Sequence, residues 1–190
     1  TITALEANYV KNAVDSGQIS LGSFNTSVEE KLESFYEGLH SLLVTNGTDA
    51  IHLALLAIGI GPGDEVIVPN LTYIAVANAV SYCGATPIFC DVVESNWCIN
   101  YKNIENLVTN KTRAIIVVNS YGGTIDWDDF EPIRRRIGLP VIEDNAEGIL
   151  GLFTKKQFGT FGDISTFSFY GNKLLTSGEG GAVLTRHKGL

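Results

Sequence analysis

The chain has 190 residues, enough for one domain with a substantial core, and 45% hydrophobic against 18% charged residues is an ordinary globular balance. A net charge of −8 and a pI near 4.8 argue against nucleic acid or an anionic membrane as partner, because both need basic surfaces. Apolar runs such as 50–60 are too short and interrupted to cross a bilayer, and the start lacks a basic segment followed by an apolar one, so a soluble, cytoplasmic protein is expected. Three cysteines, Cys83, Cys90 and Cys98, form no CxxC pair and read as small buried hydrophobes rather than a disulfide framework or a metal site.

Residues 2–16 carry Leu5, Tyr9, Val10 and Ala13 at helical spacing, with Gly17 as the stop. Residues 17–24, GQISLGSF, read as a loop. Thr26 or Ser27 is expected to cap a second helix that runs to about Gly38, with Glu29 or Glu30 in its first turn. Strands and helices then alternate: strand 41–45, helix 48–58, strand 65–69, helix 72–82, strand 86–91, helix 102–108, strand 113–119, helix 126–137 and strand 141–144. Continuous apolar runs such as Ile115-Ile116-Val117-Val118 imply burial on both faces, hence a mostly parallel sheet covered by helices. The arginines at 134–136 end a helix, where cations suit the negative helix end and their heads reach water. Residues 153–162, FTKKQFGTFG, read as a turn-rich loop with Lys155 and Lys156 solvated. Strands over 163–170 and 182–185 bring the count to about seven.

Several residues with chemical potential fall where these strands end. Lys173 follows the β-rich run 164–170 and precedes a Gly-rich turn (Gly178, Gly180, Gly181), at the strand lip where open α/β sheets bind ligands. A desolvated lysine there is a good amine nucleophile, whereas a lone loop lysine is ordinarily solvated. Thr45-Asn46-Gly47-Thr48-Asp49 leaves a strand and opens a helix, so free backbone N–H groups and the positive helix end converge on a ready anion site. A plain helix cap by Asn46 or Thr48 leaves the same trace. Asp144 closes a strand, with Glu143 before it on the opposite face and Glu147 after it. An acid pair at a strand end can also hold Mg²⁺, but no GxxxxGK[ST] loop accompanies it. Nor does a GxGxxG follow the first strand, which counts against a nicotinamide-binding reading.

Taken together, FSFYGNK (167–173), TSGEGGAVLT (176–185), IEDNAEG (142–148), GPGDEVIVPNLTYIAVANAV (61–80) and TNGTDAIHLALLAIG (45–59) resemble the DegT/DnrJ sugar aminotransferases, which use pyridoxal phosphate. The likeness runs through nearly the whole chain in order. It implies an α/β fold, the large domain of a fold type I pyridoxal phosphate enzyme, with about seven mostly parallel strands. Residues 1–25 would then be an N-terminal helix and active-site loop and 26–190 the α/β core. The family's smaller C-terminal domain is absent from this sequence, so the chain is expected to be truncated before it.

The resemblance also implies roles. Lys173 would carry the cofactor as a Schiff base and move the proton during transamination. Gly47, Thr48 and Ser168 match phosphate contacts, Tyr73 the aromatic stacked on the ring, and Asp144 the acid on the pyridine nitrogen. Glu147 stands where much of the family has Gln or His beside the ring oxygen, and EDNAE is similar to the perosamine- and viosamine-type members. Asn172 shapes the surroundings of the lysine, and Ser20 and Gly22 are further substrate-binding candidates in the loop over the site. The implied reaction moves an amino group from L-glutamate to a nucleotide-linked 4-keto-6-deoxy sugar, in a homodimer. Relatives that dehydrate sugars have histidine where this chain has Lys173. Alternatives are a 3-aminotransferase of the same family or a non-catalytic binding or regulatory module on the same fold.

Overall fold

The computed structural model describes residues 2–18, 20–187 and 189. Its centre is a seven-stranded sheet built from β1 (His40–Val44), β2 (Glu65–Pro69), β3 (Thr86–Cys90), β4 (Thr112–Val118), β5 (Val141–Asp144), β8 (Ile164–Ser168) and β9 (Gly181–Thr185). A separate small hairpin pairs β6 (Leu152–Phe153) with β7 (Lys156–Gln157). The sheet order is β1-β9-β8-β5-β4-β2-β3. Only β9 runs against the others, pairing antiparallel with both β8 and β1. The expected mostly parallel, helix-covered α/β sheet is therefore present.

β4 shows why. Ala114, Ile116 and Val118 enter one apolar cluster with α3 (Gly47–Ala57) and α4 (Ala75–Tyr82), while Ile115 and Val117 enter a second with Trp127 and Phe130 of α6 (Trp127–Ile137). Alternate side chains of one strand thus feed cores on both faces, as the unbroken apolar run requires. The three cysteines are buried within these same clusters. The chain steps from β2 out to β3 and then returns to the far side of β2 as β4. That reversal opens a crevice at the carboxyl ends of the strands, the place where open α/β sheets take ligands.

Four local expectations need correction. The second helix, α2 (Ser23–Phe35), starts ahead of Thr26 and Ser27; Gly22 is its cap residue, and the Gln18 side chain rather than Thr26 or Ser27 accepts the Ser23 N–H, at 3.0 Å. The helix expected over 102–108 is a 3₁₀ turn, Tyr101–Asn103, followed by one α turn, α5 (Ile104–Leu107). The loop over 153–162 contains part of the β6–β7 hairpin. Arg134 does not reach into water: it donates to the Phe161 carbonyl at 2.8 Å and to Asp163 at 2.7 Å, fastening the end of α6 to the approach to β8. The first helix, α1 (Ala4–Asp15), forms as expected but buries no residue, so its apolar stripe faces outward.

Glu143 has no exposed surface. Burial pushes its carboxyl up from the ordinary range, and N–H donors oppose that push. Oε1 accepts from Asn119 Nδ2 (2.9 Å) and the Gly159 N–H (2.7 Å), and Oε2 accepts from the N–H groups of Phe161 (3.0 Å) and Gly162 (3.1 Å). Two donors on each oxygen complement a carboxylate and leave no place for a proton. In this way β5 holds the segment that leads into β8. Replacing Glu143 by Ala orphans these donors at about 1–3 kcal/mol for a buried group. The variant is expected to melt roughly 2–12 °C below wild type by calorimetry; a variant that melts at or above the wild-type temperature would show that the segment is held by other means.

Candidate functional site

Loops leaving the carboxyl ends of β1, β2, β3, β4, β5 and β8 surround a cavity of about 640 Å³. At its β1 edge, Asn46 is extended, and its Oδ1 accepts the Asp49 N–H at 2.8 Å while its carbonyl accepts the Ala50 N–H at 3.1 Å. The helix cap is therefore real. It does not use up the donors, because the Thr48 N–H has no protein acceptor among the described residues and Thr48 lines the cavity. A Cβ at Gly47 would lie 2.7 Å from the Ser168 Cβ, closer than any side chain tolerates. Glycine at 47 thus lets the end of β8 close over the start of α3, bringing Ser168 beside the free helix end.

Asp144 is buried and ends β5. Its Oδ1 accepts from the Ala146 N–H at 3.0 Å and from Thr166 Oγ1 at 3.2 Å, whereas Oδ2 has no donor among the described residues and the residue lines the cavity. Desolvation pushes its carboxyl up to about 6; the two hydrogen bonds and the charge of Lys173 pull it down, and Glu147 adds to the rise.

Lys173 lies in the turn after β8, where its N–H donates to the Tyr170 carbonyl at 2.9 Å. Its side chain is only 14% exposed, so the solvated-lysine reading fails. The Nζ lies 3.4 Å from Glu147 Oε1 and 5.9 Å from the centroid of the Tyr73 ring. Tyr73 is 73% exposed, leaving its ring free to cover a ligand, and it stands two residues ahead of α4 rather than opening that helix.

The cavity thus gathers Gly47, Thr48, Tyr73, Asp144, Glu147, Ser168, Asn172 and Lys173. Ser20 and Gly22 do not join them. Gly22 instead caps α2, and the Gln18 side chain packs against it so closely that an added Cβ would lie 2.4 Å from Gln18 Oε1. Sequence reasoning missed Trp97 and Tyr121, which also line the cavity, as does Glu179 in the turn after Lys173. The Tyr121 backbone N–H donates to Glu147 Oε2 at 3.0 Å. The glycine pair after Tyr121 was the available signal, since it marks a tight turn at a strand end.

Among known proteins, residues 1–190 match the model of the DegT/DnrJ/EryC1/StrS aminotransferase family. GDP-perosamine synthase of Escherichia coli O157:H7 is 47% identical over 191 residues, covering 100% of this chain and 52% of that protein. UDP-N-acetyl-3-dehydro-alpha-D-glucosamine 3-aminotransferase of Acidithiobacillus ferrooxidans is 41% identical, over 90% of this chain and 47% of that one. In structure, the aminotransferase from Psychrobacter cryohalolentis superposes with a TM-score of 0.94 at 33% identity, covering 100% of this chain and 49% of that chain. NtdA from Bacillus subtilis, with bound cofactor PMP, gives 0.89 at 33% identity over 96% of this chain and 41% of that one. The chain spans about half the length of the curated relatives it matches.

The raised carboxyl of Asp144 sets a pH dependence in the ligand-free protein. Because the folded state holds its proton up to about 6 and the unfolded chain only to about 3.8, the contribution to stability is complete below the lower value and is lost as pH rises through the higher one. Relative to Asp144→Asn, wild type should therefore lose about 3 kcal/mol between roughly pH 4 and pH 6.5. Unfolding both proteins in urea across that range measures the gap; a constant difference, or one that shrinks with rising pH, contradicts the assignment.

Proposed function

The chain belongs to the DegT/DnrJ/EryC1/StrS aminotransferase family, and from that premise we propose that it is the cofactor-holding part of a pyridoxal phosphate-dependent aminotransferase acting on nucleotide-linked keto sugars. What carries the reading is the convergence on one cavity of a shielded lysine amine, a buried acid with an unused oxygen, and a helix start with a free N–H. The residues present fit the cofactor. Asp144 is buried at a cost that a cationic ring nitrogen at Oδ2 would offset, and the tight approach of Gly47 to Ser168 forms a cradle suited to a phosphate.

In this reading, bound pyridoxal phosphate supplies an electron sink for the carbon that bears the transferred amino group. Asp144 keeps a proton on the pyridine nitrogen. The amides at Gly47 and Thr48, with the hydroxyls of Thr48 and Ser168, bind phosphate at the positive end of α3. Tyr73 would cover the ring and Glu147 would stand beside it, and Asn172 borders the lysine. Lys173 is the attachment point, and its amine accepts and returns the proton at the reacting carbon; the nearby Glu147 and Tyr73 limit where that amine can swing.

The finer proposal is transfer from L-glutamate to a nucleotide-linked 4-keto-6-deoxy sugar, giving the 4-amino sugar, as the likeness to GDP-perosamine synthase suggests. The likeness to a 3-aminotransferase at 41% identity favours amination at the 3-position as the second reading. Among the described residues, the cavity offers one cation, Lys173, against Asp49, Asp144, Glu147 and Glu179. The anionic groups of a nucleotide substrate therefore need further donors, which a second copy of the chain would supply in the proposed homodimer; a cytoplasmic location goes with that proposal. No helix among the described residues is long and apolar enough to cross a membrane.

Mixing the protein with pyridoxal phosphate should give a visible absorbance band that borohydride fixes covalently. Lys173→Ala should abolish the fixed product and reduce amino transfer from glutamate by about 10²- to 10⁴-fold. A panel of keto sugar nucleotides then assigns the position of amination. A wild-type protein without the band, or a Lys173→Ala protein that keeps the covalent product, overturns the proposal.

A further inference from the structure

Four non-glycine residues among those described have positive φ, and two of them, Trp97 at 57° and Tyr121 at 51°, face the cavity from the loops after β3 and β4. Tyr121 and Gly122 (φ 81°) are the central pair of a turn closed by the Gly123 N–H on the Ser120 carbonyl at 2.8 Å. Turns with both central residues at positive φ normally use Asn, Asp or Gly at the first of them. A tyrosine there is held against its preference, and such strain persists only where the surroundings over-determine it.

Two sets of contacts do so. The Tyr121 ring meets Trp97 edge-on at 5.4 Å, and Asn96 Nδ2 donates to the Thr124 carbonyl at 3.0 Å, tying the two loops together. The backbone of Tyr121 makes the second contact. Its N–H donates to Glu147 Oε2 at 3.0 Å, and the other oxygen of that carboxylate is the one 3.4 Å from Lys173 Nζ. A partly exposed ion pair between two flexible side chains is weakly held, because both lose rotamer freedom in forming it. A backbone N–H on the far oxygen supplies a charge-assisted bond from a group with no rotamers to lose.

We propose that Tyr121 is a positioning residue: its N–H, presented by the left-handed turn, fixes the Glu147 carboxylate so that the opposite oxygen faces Lys173, and Trp97 braces the turn. Tyr121 is 76% exposed and its hydroxyl makes no polar contact among those described, so the backbone rather than the hydroxyl does the positioning. The inference rests on the functional reading above, since Glu147 matters to the cofactor only where Lys173 carries it.

The test is the dissociation constant of pyridoxal phosphate, read from its visible absorbance, across a double-mutant cycle. Tyr121→Val, β-branched and poorly tolerated at positive φ, should weaken binding about tenfold. Tyr121→Asn, which tolerates the left-handed region, should bring it back to within about threefold of wild type. Tyr121→Val with Glu147→Ala should bind no more weakly than Glu147→Ala alone, because the first change acts only through the second residue. Should the valine variant not fold, Tyr121→Ala takes its place with the same ordering expected. Equal weakening by Asn and Val assigns the effect to the ring and overturns the inference, as do additive losses in the cycle or a valine variant that binds like wild type. Those results leave the functional reading intact, whereas a wild-type protein that takes up no cofactor overturns both.

Discussion

Strand β5 ends in two adjacent acids, and strand alternation sends them to opposite faces of the sheet, both buried. Glu143 meets the donors of the 159–162 segment and anchors the path into β8. Asp144 faces the cavity with one oxygen bonded and one unused. β8 pairs with β5 directly through Glu143 with Ser165 and Asp144 with Thr166, so its register is set beside the acid. From β8 the chain delivers Ser168 and then Lys173. The positions of acid, hydroxyl and amine are thus consequences of one strand end, and displacing it displaces all three.

The same strand end carries the electrostatic tension of the site. Glu143 is paid for by hydrogen bonds, whereas Asp144 remains under-compensated, which is why its carboxyl rises to about 6. The nearest cation, Lys173, lowers it, and Glu147 pushes the other way. A buried acid with a free oxygen weakens the ligand-free fold at neutral pH and gains a partner when a cationic group arrives. Stability sacrificed at a site and recovered on binding is what preorganisation for a ligand requires.

Much of this was legible in the sequence because the strands are buried on both faces and announce themselves as apolar runs. Residues at the ends of those runs, Gly47, Asp144, Ser168 and Lys173, could be placed at one edge of a parallel sheet before any coordinates, and the cavity gathers them there. Tyr121 escaped notice because it contributes a backbone N–H, which every residue except proline possesses, and only its conformation makes it special. The arginines at 134–136 look alike as sequence. The fold separates them: Arg134 reaches Asp163, while Arg135 and Arg136 pair at the surface with Glu131 and Glu105. Ser20 and Gly22 came from a family likeness in a loop without periodicity. In this chain Gly22 spends its small size on the start of α2 and the packing of Gln18.

The central claim is that the unused oxygen of Asp144, the amine of Lys173 and the start of α3 are fitted to three parts of one molecule. A crystal structure of the protein soaked in pyridoxal phosphate measures this most directly. The account predicts continuous density from Lys173 Nζ into the ligand, the ring nitrogen within hydrogen-bond distance of Asp144 Oδ2, and the phosphate against Gly47, Thr48 and Ser168. Density joined to another lysine, or a phosphate lying away from the start of α3, would contradict it.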